Sequence, residues 1–188
     1  MLSPRFVVAV AVAIGLSTSF GEASAEVPTP TDATSSQIAG ADQECGSDSW
    51  LIAITAAAEA RGEPAPMLGM QLVAEIILNR ADARFFGDHT IETIVHRNRQ
   101  FSAWNADSPM IADLVSLEAG GHAKARDLES AAHRIRPVVC QLMNKTRARV
   151  LPPNTLHYVN TALAKPHWMN GATVTRNEGG HTFFADVR

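Results

Sequence analysis

The chain has 188 residues, two cysteines and a formal net charge of −3. That length suits one domain with extensions. The charge offers no basic surface of the kind that binds nucleic acid, and two cysteines without ligand spacing argue against a zinc site.

In chain order, residues 1–25 read as a secretory signal. Arg5 precedes an apolar run, Val7–Leu16, and small residues end in Ala23-Ser24-Ala25, an A-x-A cleavage pattern. The run is too short to span a bilayer by itself; an uncleaved anchor is the competing reading. No later apolar run is long enough to cross, so no stable membrane span is expected once the signal is removed. Residues 26–44, with Pro28, Pro30, Thr29, Thr31, Ser35 and Ser36, read as a flexible linker with little to bury. The folded domain is expected over residues 45–188, enough chain for one core. The expected location is outside the cytoplasm, periplasmic or extracellular. An oxidising compartment favours one disulfide between Cys45 and Cys140, with two free thiols as the alternative that sequence leaves open.

Ser47, Asp48 and Ser49 are N-cap candidates for a helix over Trp50–Arg61. Its run Trp50–Ala58 is apolar nearly all round, the texture of a buried helix. Gly62, Pro64 and Pro66 stop it, leaving Glu63 at or past the end. Met67–Arg84 follows helical spacing through Leu68, Leu72, Val73, Ile76, Ile77 and Arg80, with Gln71, Glu75 and Asn79 on a second stripe. A short helix over Thr90–Arg97 and an irregular loop over Gln100–Ser108 come next. Ser108 can cap a helix over Pro109–Glu118. Asp127–Lys145 forms another, with a kink or break expected at Pro137. Nearby, Arg134, Arg136, Lys145, Arg147 and Arg149 read as a solvated face, with an anionic-polymer contact as the alternative. Leu156–Val159 and His181–Phe184 suit a small two-stranded element, with a loop between them.

The chemistry centres on Ala58-Glu59-Ala60-Arg61-Gly62-Glu63. Glu59 is an acid in an apolar helix, where burial disfavours the carboxylate. It also lies in the last turn, whose partial negative charge acts the same way. Both effects favour a held proton, the condition for a general acid at a glycosidic oxygen. The competing role is a structural ion pair with Arg61 or Arg80. Glu63, outside the apolar run, is the secondary candidate, and a loop-end or arginine-pairing role fits it better. Gln100-Phe101-Ser102-Ala103-Trp104 places an amide beside aromatics, which suits sugars, although Phe101 and Trp104 could equally plug the core. Tyr158 and Asn160 share one face of a strand. Gly179-Gly180 before His181 permits a close backbone approach. No metal-ligand spacing, G-x-S-x-G elbow or cofactor signal is present, so no metal or cofactor is expected.

Taken together, these segments resemble the SleB-type cell wall hydrolase family. The resemblance is carried by Ala58–Pro64, Gly69–Arg80, Gln100-Phe101-Ser102, Leu156–Asn160, Pro166-His167-Trp168 and Gly179–Phe184. It implies an α+β, predominantly helical, lysozyme-like domain with peptidoglycan glycan strands as its partner. It further implies cleavage of the MurNAc–GlcNAc bond by a lytic transglycosylase, with the catalytic acid on Glu59. Gln100, Phe101, Tyr158, Asn160 and His181 are then the expected sugar-binding wall. Simple hydrolysis to a reducing end, an N-acetylmuramoyl amidase and a non-catalytic peptidoglycan-binding domain are the alternatives. The helix Met67–Arg84 departs from the usual pattern at Leu72 and Glu75, which leaves open whether Glu75 faces the groove or solvent.

Overall fold

A computed structural model describes residues 45–187. The expected signal and linker, residues 1–25 and 26–44, lie outside the described residues. The described chain forms five α-helices: α1 (Gly46–Ala60), α2 (Pro66–Asp82), α3 (Ile91–His96), α4 (Ile111–Glu118) and α5 (Arg126–Met143). They are followed by strands β1 (Thr155–Asn160), β2 (Thr173–Glu178) and β3 (His181–Ala185). Among these residues no helix is long and apolar enough to cross a membrane.

The all-round apolar texture of α1 puts it at the centre. Ile52, Ala53, Ile54, Ala56 and Ala57 are fully buried, and α2, α4 and α5 pack around them. The helix begins at Gly46, a turn earlier than expected, and no side chain caps it; Ser49 Oγ instead donates to the Gly46 carbonyl at 2.9 Å. α5 is amphipathic and buries Leu128, Ala131, Ala132, Ile135, Val139 and Leu142 against this centre. It runs unbroken through Pro137. That residue lies on the exposed face of the helix, away from the core. The disulfide forms: Cys45, before α1, joins Cys140 in the last turn of α5, with Cα atoms 5.6 Å apart.

The second stripe of α2 is neither groove nor solvent face. Glu75 is fully buried, with Oε2 accepting from the backbone N–H groups of Val150 and Leu151 at 2.9 and 2.8 Å and Oε1 accepting from Gln71 Nε2 at 2.8 Å. Asn79 Nδ2 donates to the carbonyls of Pro152 and Thr155, and Arg80 Nε to that of Leu156 at 2.8 Å. This polar stripe straps the segment leading into β1 onto α2, satisfying backbone groups that burial would otherwise leave unpaired. Two arginines of the presumed solvated cluster belong to the same strap. Arg147 reaches Gln71 Oε1 at 2.9 Å, and Arg149 reaches Asn79 and Asp82, each at 2.7 Å.

The sheet has three strands where two were expected, in the order β1-β3-β2 and antiparallel throughout. The added strand, β2, falls in the segment read as loop. It is an edge strand, solvated along much of its length, so it lacks the apolar alternation that marks a strand in sequence. Phe183 of β3 packs on Leu72, Ile76 and Leu151, which seats the sheet on α2 beside the C-terminal end of α1.

Candidate functional site

Where α1 ends, the loop after α3 and the strands β1 and β3 enclose an open groove of about 530 Å³. Glu59, in the last turn of α1, lies on it and is half-buried. Its Oε1 accepts from the Ala103 backbone N–H at 2.8 Å and from Ser102 Oγ at 3.1 Å; its Oε2 accepts from the Tyr158 hydroxyl at 3.1 Å. The carboxylate is therefore ringed by polar donors from two walls, and the apolar surroundings expected from sequence are confined to the helix behind it. No arginine pairs with it among the described residues. Arg61 turns away to Asp127, at 2.8 Å, and Arg80 donates to a backbone carbonyl.

The donors are held from behind. Ser102–Trp104 is a single 3₁₀ turn, and Trp104 Nε1 donates to Thr55 Oγ1 at 2.9 Å, one helical turn before Glu59. On the other wall, Tyr158 stacks on Phe183 with ring centroids 5.8 Å apart. Phe101 stands behind Tyr158 at 6.3 Å and is only 1% exposed, so it does not line the groove as expected. It shares with Phe85 the job of sandwiching the Arg80 guanidinium, at 5.1 and 5.2 Å from the two ring centroids.

This burial shapes the local ionisation. The Arg80 guanidinium is lowered to about 10 by burial, against the opposing pull of Tyr158 and Glu59. Burial, helped by the negative charge of Glu59, pushes the Tyr158 hydroxyl well above the usual phenol range, so it stays a donor at any ordinary pH. His157, on the opposite face of β1, is lowered to about 4 by burial and then by Arg80.

Of the other expected residues, Gln100, Asn160, His181 and Glu63 all line the groove. Glu63 is not paired with arginine. Its Oε1 meets His181 Nδ1 at 2.5 Å, and its Oε2 accepts from the Gly180 backbone N–H at 3.0 Å. The close approach that Gly179-Gly180 permits is thus to this carboxylate. A Cβ on Gly179, which has φ +56°, would fall on Glu63 Oε2, and one on Gly180 would come within 2.9 Å of Asn160 Nδ2. Sequence reasoning did not single out Ser102, the Ala103 amide, Arg99 or Asn105. Ser102 lay within a quoted motif and could have been found there; a backbone N–H has no side-chain signature.

The fold is that of the lysozyme-like, mostly helical class, with its candidate acid at the junction of helices and a small sheet. The chain belongs to the Cell Wall Hydrolase family, whose model matches residues 64–184 and so begins just after Glu59. It is an enzyme of that family. The chain is similar in fold to the catalytic domain of the germination-specific lytic transglycosylase SleB from Bacillus anthracis. That likeness has 24% identity and a TM-score of 0.50 and covers 75% of this chain and 95% of that one. The catalytic domain of the SleB protein from Bacillus cereus matches at 22% identity and a TM-score of 0.49, over 74% of this chain and 90% of that one. No curated protein matches the chain.

Proposed function

We propose that this protein is an exported peptidoglycan glycosidase that cleaves the MurNAc–GlcNAc bond as a lytic transglycosylase, with Glu59 as the acid. The observation that carries the reading is Glu59 itself: a carboxyl on an open groove, fixed by three donors and, among the described residues, in no salt bridge with an arginine. The other groove carboxylate, Glu63, is paired with the His181 imidazole and is only 9% exposed, with the Gly180 N–H on its second oxygen. That leaves the site short of the second free carboxylate of the common two-acid scheme and favours substrate-assisted chemistry. In that route Glu59 protonates the leaving oxygen, and the MurNAc N-acetyl group stabilises the cationic centre. The sugar's own 6-hydroxyl then attacks to leave a 1,6-anhydro end. The Bacillus anthracis domain is named a lytic transglycosylase.

Export is supported by the signal-like pattern of residues 1–25, followed by the linker-like residues 26–44, and by a disulfide that needs an oxidising compartment. Digestion of purified sacculi by wild type and Glu59→Gln, with the released muropeptides weighed by mass spectrometry, tests the proposal. Wild type should release anhydro ends, lighter by one water than reducing ends. Glu59→Gln should lose activity by about 10³-fold, within the range of general acid–base contributions. Undiminished digestion by the variant would overturn the assignment.

A further inference from the structure

The substrate-assisted route leaves one proton to place. When the 6-hydroxyl bonds to the anomeric carbon, its own proton must go to a base, and with a single carboxyl in play that base is Glu59 again. The groove holds another acceptor.

His181 opens β3 and lines the groove with its side chain 12% exposed, while Glu63 beside it is 9% exposed. Their contact uses Nδ1, at 2.5 Å from Glu63 Oε1. In a neutral imidazole, a carboxylate at Nδ1 holds the proton there and leaves Nε2 as the acceptor. Among the described residues, Nε2 has no hydrogen-bond partner. The ring has two aromatic neighbours, edge-on to Tyr158 at 5.2 Å and tilted on Phe183 at 6.4 Å. Tyr158 in turn donates to Glu59, so the acid and the imidazole share one wall residue.

The carboxylate end of the pair is built in with equal care. The Gly180 N–H fixes Oε2 at 3.0 Å, and the Gly179 backbone passes so close that any side chain there would strike the Glu63 carboxylate. A carboxylate that sets the tautomer of a base needs to be held still.

We propose that Glu63 and His181 form a second proton-handling pair in the groove, with His181 the base for the attacking hydroxyl and Glu63 the residue that positions it. This rests on the reading of Glu59 as the acid. The proton of the Glu59 carboxyl goes to the glycosidic oxygen as its bond to the anomeric carbon breaks. The 6-hydroxyl oxygen bonds to that carbon, and its proton goes to His181 Nε2, giving an imidazolium beside the Glu63 carboxylate. Exchange with solvent after product release returns the proton to Glu59.

Activity on sacculi or a soluble glycan strand is measured against pH for wild type, Glu59→Gln, His181→Gln and Glu63→Gln, with folding checked by thermal melting. His181→Gln should lower kcat by about 10²-fold or more, leave KM nearly unchanged and remove the acid limb of the kcat/KM profile. Glu63→Gln deletes the negative charge that supports the imidazolium, so its acid limb should move to lower pH with a smaller loss of kcat. The other ionisable groups near the ring do not mimic these effects. Tyr158 stays neutral, and Glu178, opposite His181 in the β2–β3 register, is held by Arg176 at 2.9 Å. Should either glutamine variant fail to fold, His181→Ala with added imidazole replaces it; recovery of turnover supports the base, and no recovery overturns it. A His181→Gln enzyme with raised KM, unchanged kcat and an intact acid limb would reduce His181 to a sugar contact and overturn the proposal. Full activity of Glu59→Gln would instead sink the underlying reading.

Discussion

Trp104 hangs from Thr55: its indole N–H donates to the threonine hydroxyl at 2.9 Å, and Thr55 lies four residues, one turn, before Glu59 on α1. Thr55 Oγ1 also donates back to the Leu51 carbonyl at 2.7 Å, so the acceptor is itself fixed. The peg therefore ties the turn carrying Ser102 and the Ala103 amide to the same helix face as the acid they hold.

Trp104→Phe leaves a smaller ring in place and removes the donor. It should cost at least about 1 kcal/mol, the usual net worth of a neutral hydrogen bond, with the lost core contacts of the larger indole added, and lower Tm by about 3 °C or more. The loss in kcat should be larger in proportion, about tenfold, because small displacements of positioning groups are costly in catalysis. Thr55→Val removes the other partner, and a double-mutant cycle checks the link. The double variant should cost little more than either single one; strictly additive losses would show that the peg does not couple the two.

Tyr158 is the donor from the opposite wall. Tyr158→Phe leaves the stack on Phe183 intact and removes one hydrogen bond to Glu59. A bond to a charged acceptor is worth about 1.5–3 kcal/mol, so kcat should fall by about 10- to 100-fold. Tm should fall only by the few degrees that one such bond is worth. Steady-state kinetics beside a melting curve separates the two effects, and a large drop in Tm with unchanged kcat would make Tyr158 a packing residue only.

The outline of this molecule was legible where one segment decides its own fate. The apolar run before Glu59 demands a buried helix, and the Leu128, Ile135, Leu142 face demands an amphipathic one; both form. Legibility failed where the deciding partner is distant in sequence. Glu63 meets Gly180 across 117 positions, and Ala103 meets Glu59 across 44, through a backbone amide that any residue would supply. Phe101 shows the same limit from the other side. An aromatic next to an amide fits a sugar or a core equally well, and only the buried Arg80 beside it settles the matter in favour of the core. The strand β2 went unseen because an edge strand wet on both faces writes no alternation into its residues.

His157 makes stability depend on pH. Folding lowers it from the ordinary 6.5 to about 4, through burial first and the Arg80 charge second. The unfolded chain therefore binds the extra proton between those values, and the folded protein loses stability as pH falls from about 6.5 to about 4, with no further loss from this group below that. After allowance for solvent screening, the loss should be about 1–2 kcal/mol. His157→Gln has nothing to titrate, so its Tm should be flatter across that window than wild type. Parallel slopes for the two proteins would remove His157 as the cause.

The disulfide should matter for stability and hardly at all for turnover. Cys45 and Cys140 are 95 positions apart, and closing a loop of that length restricts the unfolded chain by about 4.7 kcal/mol in the chain-entropy account. Reduction, or the Cys45→Ser/Cys140→Ser double variant, should then lower Tm by about 10 °C. The site is remote from this constraint. Cys45 precedes the first turn of α1 and Glu59 occupies its last, about 20 Å away along the helix axis. Between them α1 is packed by α2, α3, α4 and α5, so loosening its first turn should not reach the carboxylate. Well below the lowered Tm, kcat and KM of the double variant should match wild type within about twofold, a difference of well under 1 kcal/mol. A reduced enzyme that keeps its Tm but loses activity would contradict both halves of this expectation and would mean that the N-terminal end of α1 governs the groove.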